Sequence, residues 1–113
     1  MVVGGKIMDK NIKKDWVNAL RSGRYEQGRG SLCNDHRFCC LGVLYEVLIK
    51  EGHFSIERTC RGTLVMYDGN ISYPYNLINC NIIRESDVDK LVIMNDSKGF
   101  SFKEIADWIE ENL

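Results

Sequence analysis

A chain of 113 residues is one domain, large enough to bury a single core and too short for two. With 44% hydrophobic and 27% charged residues it has the composition of a soluble globular protein, and no apolar run approaches the roughly 20 residues that span a bilayer. Its net charge of −1 is unevenly spread: residues 1–61 carry 11 Lys and Arg against 7 Asp and Glu, and residues 62–113 carry 4 against 9. Two solvated faces account for this most simply, with a head-to-tail attraction between protomers or a basic pocket beside an acidic flank as the functional readings. Met1 to Lys6 lack the charged lead-in and apolar core of an export signal, so a cytoplasmic protein is expected.

Residues 1–8 have no period and two glycines, which predicts a frayed lead-in or a short added strand. Asn11 is placed to cap a helix over residues 12–22 with Ile12, Trp16, Ala19 and Leu20 on its buried side and Gly23 as its stop. In residues 23–38, Gly23, Gly28 and Gly30 break any helix, and Asn34-Asp35 predicts a turn between two short extended arms. This segment holds the densest set of polar groups and leads into the most apolar run of the chain. There Cys40, Val43, Leu44, Val47 and Leu48 recur at i, i+3, i+4, i+7 and i+8, one face of a central buried helix over 39–51 that ends at Lys50, Glu51 and Gly52.

An irregular connection follows, then a β-rich stretch from Thr63 to Tyr67 and an Asp68-Gly69-Asn70 hairpin turn with a return strand at Ile71-Ser72-Tyr73, ended by Pro74. Leu77 to Ile83 fit a strand better than a helix. Ser86 with Asp89 predicts the start of a helix that buries Val88, Leu91 and Val92, and Ser97-Lys98-Gly99 a turn. Ser101 and Glu104 form a capping box with Phe100 stapled onto Ile105, opening a last helix that buries Phe102, Ile105, Ala106, Ile109 and Leu113. Residues 1–113 are therefore expected to be one α+β domain, about four helices packed with a small antiparallel sheet.

Five cysteines, at 33, 39, 40, 60 and 80, are an odd number, and adjacent Cys39 and Cys40 do not readily bond to each other, so reduced thiols are expected. Cys33, His36 and Cys39 have ligand-like spacing for zinc, with Cys40, His53, Cys60 or Cys80 as a fourth ligand, but paired Cys-x-x-Cys knuckles are absent. A thiol nucleophile is the second constellation. Cys39 or Cys40 at a helix N-terminus, with His36 or His53 as base and Asp35 orienting it, has the parts of a cysteine hydrolase without the flanking signature of one. Packed, inert thiols are the simpler account of both.

The third constellation is an anion site. Arg21, Arg24, Arg29 and Arg37 lie among Gly23, Gly28 and Gly30, where glycines admit close approach of backbone N–H groups to phosphate and arginine adds bidentate pairing. Tyr25 or Phe38 can stack on a base, Gln27 adds an amide, and the segment ends at the start of the central helix, a seat for negative charge. The sequence matches neither a P-loop nor a dinucleotide fingerprint, and no cofactor is expected. Ser101 to Ala106 resemble the first helix of a helix-turn-helix, but no recognition helix follows and this third of the chain is acidic, so direct DNA binding is not expected.

Three blocks, Trp16 to Gly28, Cys39 to Leu44, and Asn95 to Asp107, together resemble a set of small tailed-bacteriophage and prophage proteins. That resemblance implies an accessory protein acting against a host system in the infected cell's cytoplasm. The expected function is non-catalytic: sequestering a phosphorylated, nucleotide-like small molecule, with direct binding of a host defence protein, a thiol hydrolase and a zinc-stabilised module as alternatives. Homo-oligomerisation is expected because small domains build such pockets between protomers.

Overall fold

A computed structural model of the chain describes residues 8–29, 33–34, 37–51, 57–58, 64–65, 77–78 and 81–113. The first helix, α1 (Lys10–Arg21), is capped by Asp9 rather than Asn11, because the Asp9 carboxylate accepts hydrogen bonds from the backbone N–H groups of Asn11 and Ile12 at 2.8 and 3.0 Å. Trp16, Val17 and Leu20 are buried along it, and Met8 just before it also enters the core. Gly23, at φ +80°, turns the chain away from the helix end, a conformation open to glycine without strain.

Three two-residue strands follow: β1 (Glu26–Gln27), β2 (Cys33–Asn34) and β3 (Arg37–Phe38), in the order β1-β3-β2. β2 and β3 are the two antiparallel arms expected around Asn34-Asp35. The sheet is not purely antiparallel, however: β1 lies parallel to β3, with Glu26 opposite Arg37 and Gln27 opposite Phe38. A separate antiparallel pair joins β4 (Glu57–Arg58) to β5 (Leu64–Val65). The Asp68-Gly69 hairpin and its return strand at 71–73 lie outside the described residues.

The helix α2 (Cys40–Lys50) is buried at every residue from Cys40 to Leu48, so it is enclosed on all sides rather than along one stripe. Leu77 and Ile78 are helical, not extended. The reason is Asn81 at φ +60°: its N–H donates to the Ile78 carbonyl at 3.0 Å and that of Ile82 to the Leu77 carbonyl at 2.9 Å, the paired bonds of a left-handed helix cap. The helix α3 (Glu85–Val92) starts after Arg84, so Ser86 lies within its first turn instead of capping it; Val88 and Leu91 are buried. A π-helical turn, Ile93–Ser97, continues α3, and Gly99 at φ +69° redirects the chain into α4 (Phe102–Asn112). There the Ser101–Glu104 capping box forms as expected, with both reciprocal bonds present, and Phe102, Ile105, Ala106, Ile109 and Leu113 are all buried.

Among the described residues the architecture is thus α+β and dominated by four helices. α1 packs on α4 and on α2, and α3 packs on α2. Trp16 donates its indole N–H to the Cys40 carbonyl at 2.9 Å inside this core, fixing α1 on the first turn of α2. No helix among the described residues is long and apolar enough to cross a membrane.

Candidate functional site

The four arginines of the glycine-rich segment end in four different places. Arg21, at the end of α1, pairs with Asp107 at 2.6 Å and Glu110 at 3.0 Å on α4. The Arg21 hydrogen bond to Glu110, with the charge attraction behind it, holds the Glu110 carboxyl below its ordinary pKa. Arg29 donates from Nε to the Asn95 carbonyl at 3.0 Å. Arg37 lies 3.7 Å from Glu26 across the β1–β3 pair, both side chains exposed. Arg24 alone of the four has its guanidinium unbonded among the described residues.

Gln27, Gly28 and Arg29 are committed to a buried hub that the sequence reading did not assign. Asn95, fully buried on the π-helical turn, uses all four positions of its side-chain amide. Its Oδ1 accepts from Gln27 Nε2 at 2.9 Å and from the Cys40 backbone N–H at 3.3 Å; its Nδ2 donates to the Gly28 carbonyl and to Asp96 Oδ1, both at 2.8 Å. Gln27 also donates to the Phe100 carbonyl at 2.8 Å, and Gly28 donates to the Phe38 carbonyl at 2.7 Å. The start of α2, expected as a seat for a ligand's negative charge, is therefore filled from within: Cys39 caps it without a side-chain bond, and the Asn95 amide oxygen serves the Cys40 N–H. The signal for Asn95 was its register, since Val88, Leu91, Val92 and Asn95 continue one i, i+3, i+4, i+7 face, so an amide there has to enter the core.

Both central thiols are packing groups. Burial pushes the Cys39 thiol up to about 11, outweighing the backbone hydrogen bonds from Gly42 and Leu41 that pull it down, and it raises Cys40 as well. Cys40 Sγ faces the Leu91 carbonyl at 3.8 Å. Burial opposes both the ionisation and the access that a nucleophile needs at Cys39 and Cys40. His36, the candidate base and ligand, lies outside the described residues, and among the described residues no group of three metal-ligating side chains converges.

Arg24 and Tyr25 open onto a shallow cleft of about 200 Å³ between the C-terminal ends of α1 and α2. The Ser22 hydroxyl sets their position, donating to the Ala19 carbonyl at 2.7 Å and accepting from the Arg24 N–H at 3.1 Å. Tyr25 is half-buried, its ring edge-on to buried Phe38 with centroids 5.3 Å apart, so Phe38 supports Tyr25 and is itself withdrawn from any ligand. Lys50 and Asn18 line the cleft with them, as do Asp15 and Glu51. Two cations and two carboxylates, at the negative ends of two helix dipoles, favour a ligand bearing both an anionic group and N–H donors over a bare anion.

No curated protein and no solved structure matches the chain. A family match spans α1 through β5 and leaves Asn95, α3 and α4 beyond it. Residues 8–75, more than half of the chain, match the family described as Domain of unknown function (DUF8296), and the chain belongs to that family.

Proposed function

We propose that this protein is a non-catalytic binding protein that captures a phosphorylated, nucleotide-like small molecule in the cleft beside Arg24 and Tyr25. The observation that carries the reading is the uncommitted guanidinium of Arg24 facing the same space as Lys50 and an aromatic ring already held in place by Phe38. Arg24 and Lys50 receive the phosphate, Tyr25 offers a face or edge to the base, and Asp15 and Asn18 accept or donate at its polar rim. At about 200 Å³ the cleft is below the size that encloses a drug-sized ligand, so it holds the phosphate-bearing end of the molecule unless a second protomer completes it. The burial of Cys39 and Cys40, which raises both thiols, supports capture over conversion.

The resemblance of the Trp16–Gly28, Cys39–Leu44 and Asn95–Asp107 blocks to small tailed-phage proteins supports a setting in which such capture removes a host defence signal. The test is to incubate the full chain with a cellular nucleotide pool, remove unbound material, release the contents by heat and identify them by mass spectrometry. An intact phosphorylated compound is expected from the wild type and not from Arg24→Glu. A chemically altered product would replace capture by catalysis, and equal recovery from both proteins would remove the cleft from the account.

A further inference from the structure

A second surface is built from other elements than the Arg24 cleft. Between the end of α3 with its π-helical turn and the outer side of α4 runs a groove of about 350 Å³ lined by Lys90, Ile93, Met94, Lys98, Phe100 and Trp108. Ile93, 48% exposed, is the one large apolar side chain left in solvent among the described residues, and it sits on this rim. It sits on the π-helical turn, where the Lys98 N–H reaches back five residues to the Ile93 carbonyl at 2.9 Å and Asn95 is buried while Ile93 is exposed. Phe100 and Trp108 are half-buried against the core, so their inner faces are fixed while their outer parts floor the groove.

The charge lining the groove is opposite to the balance of the half of the chain that supplies it. Residues 62–113 hold 9 acidic side chains and only 4 basic ones, Arg84, Lys90, Lys98 and Lys103. Two of those four flank this groove, no carboxylate lines it, and neither lysine is paired with one among the described residues. An apolar slot with an exposed aliphatic rim, aromatic walls and two ammonium groups in its lining is complementary to an apolar anchor flanked by carboxylates. We infer that this groove docks an acidic peptide segment of a partner protein, one Leu, Ile or Phe side chain entering between Ile93 and Trp108 and flanking Asp or Glu side chains meeting Lys90 and Lys98. The surface is separate from the Arg24 cleft and stands whether or not that cleft binds a nucleotide.

The test is selection of a tryptophan-free random peptide library on the full-length protein, with Lys90→Glu/Lys98→Glu as counter-target. Enriched peptides are expected to carry Asp or Glu on both sides of an aliphatic or phenyl side chain. Synthetic copies should shift the emission of Trp108 saturably, the only other tryptophan, Trp16, being buried and bonded to Cys40. Binding should fall at least tenfold in the double lysine variant and in Ile93→Asp, each checked for native circular dichroism; these positions are solvent-facing, and the lysine variant tests the idea alone if Ile93→Asp unfolds. No enrichment, enrichment of basic or neutral peptides, or equal binding by the lysine variant would overturn it. So would a wild-type dimer that Ile93→Asp converts to monomer, since a second copy of the chain would then be what covers the groove.

Discussion

Arg24 and Arg29 stand five residues apart in one glycine-rich loop, yet their surroundings are opposite. Around Arg29 the chain turns inward: Gln27, Gly28 and Arg29 all close onto Asn95 or its neighbours, and the same amide serves the first turn of α2. Around Arg24 the groups are held by the Ser22 hydroxyl and by Phe38 but point at open space. A loop crowded with arginine and glycine thus divides into a part that cements β1, α2 and the π-helical turn together and a part left open to a ligand. Density of polar residues along the chain does not separate these roles; which of them already have partners does.

Asn95 is where that contrast breaks most sharply. Asn95→Ala leaves the Cys40 N–H and the Gly28 carbonyl without their partner in the core, and each stranded buried group costs about 1–3 kcal/mol, so a loss of roughly 3–5 kcal/mol in denaturant unfolding is expected. Asn95→Asp should be comparably destabilised at neutral pH, because a carboxylate would face the Gly28 carbonyl and Asp96 where an amide now donates. Unlike the alanine variant it should recover as the pH falls, once the carboxyl is protonated and can donate again. A loss below 1 kcal/mol in either variant would show that the hub is solvated rather than sealed.

Gly28→Ala tests the same side with a smaller effect. A Cβ there would lie 2.9 Å from Arg37 Cβ and 3.3 Å from the Arg37 carbonyl carbon, so the β1–β3 pair has to separate, at about 1–2 kcal/mol. On the other side of the comparison, Arg24→Glu should leave stability within about 0.5 kcal/mol of wild type, since it removes no protein contact, while abolishing nucleotide recovery. Destabilisation by Arg24→Glu as large as that by Gly28→Ala would erase the distinction between cement and open surface.

The parts legible in the sequence are the local ones. The i, i+3, i+4 pattern located α1, α2 and α4, and the Ser101–Glu104 pair gave the start of α4 because both partners lie within one turn. Leu77 and Ile78 were misread because the three β-branched isoleucines of residues 77–83 suit a strand, while the deciding feature is the left-handed backbone of Asn81, which many asparagines never adopt. The hub was illegible for a different reason: Gln27 and Asn95 are 68 residues apart, and Cys40 and Asn95 are 55 apart, so nothing in local spacing pairs them. Nearness in sequence misled in the opposite direction for the four arginines. Arg21 leaves the end of a helix, Arg24 a turn, and Arg37 a strand, so a 17-residue span sends their side chains to separate surfaces.

The smallest effect belongs to Arg21, which is bonded like Arg29 but to two exposed carboxylates at the surface. Its bond to Glu110 keeps that carboxyl below its ordinary pKa. A carboxyl whose folded pKa is depressed adds stability that is complete above its unfolded pKa and lost as the pH falls through the folded value. Wild-type stability should therefore decline through the acidic range just below the ordinary Glu value, and Arg21→Gln should flatten that decline while changing neutral-pH stability little, because solvent and salt screen an exposed pair. Repeating the titration in 0.5 M salt discriminates further: the wild-type curve should approach that of Arg21→Gln. If instead the acid limb persists unchanged in both, the carboxylates responsible lie elsewhere.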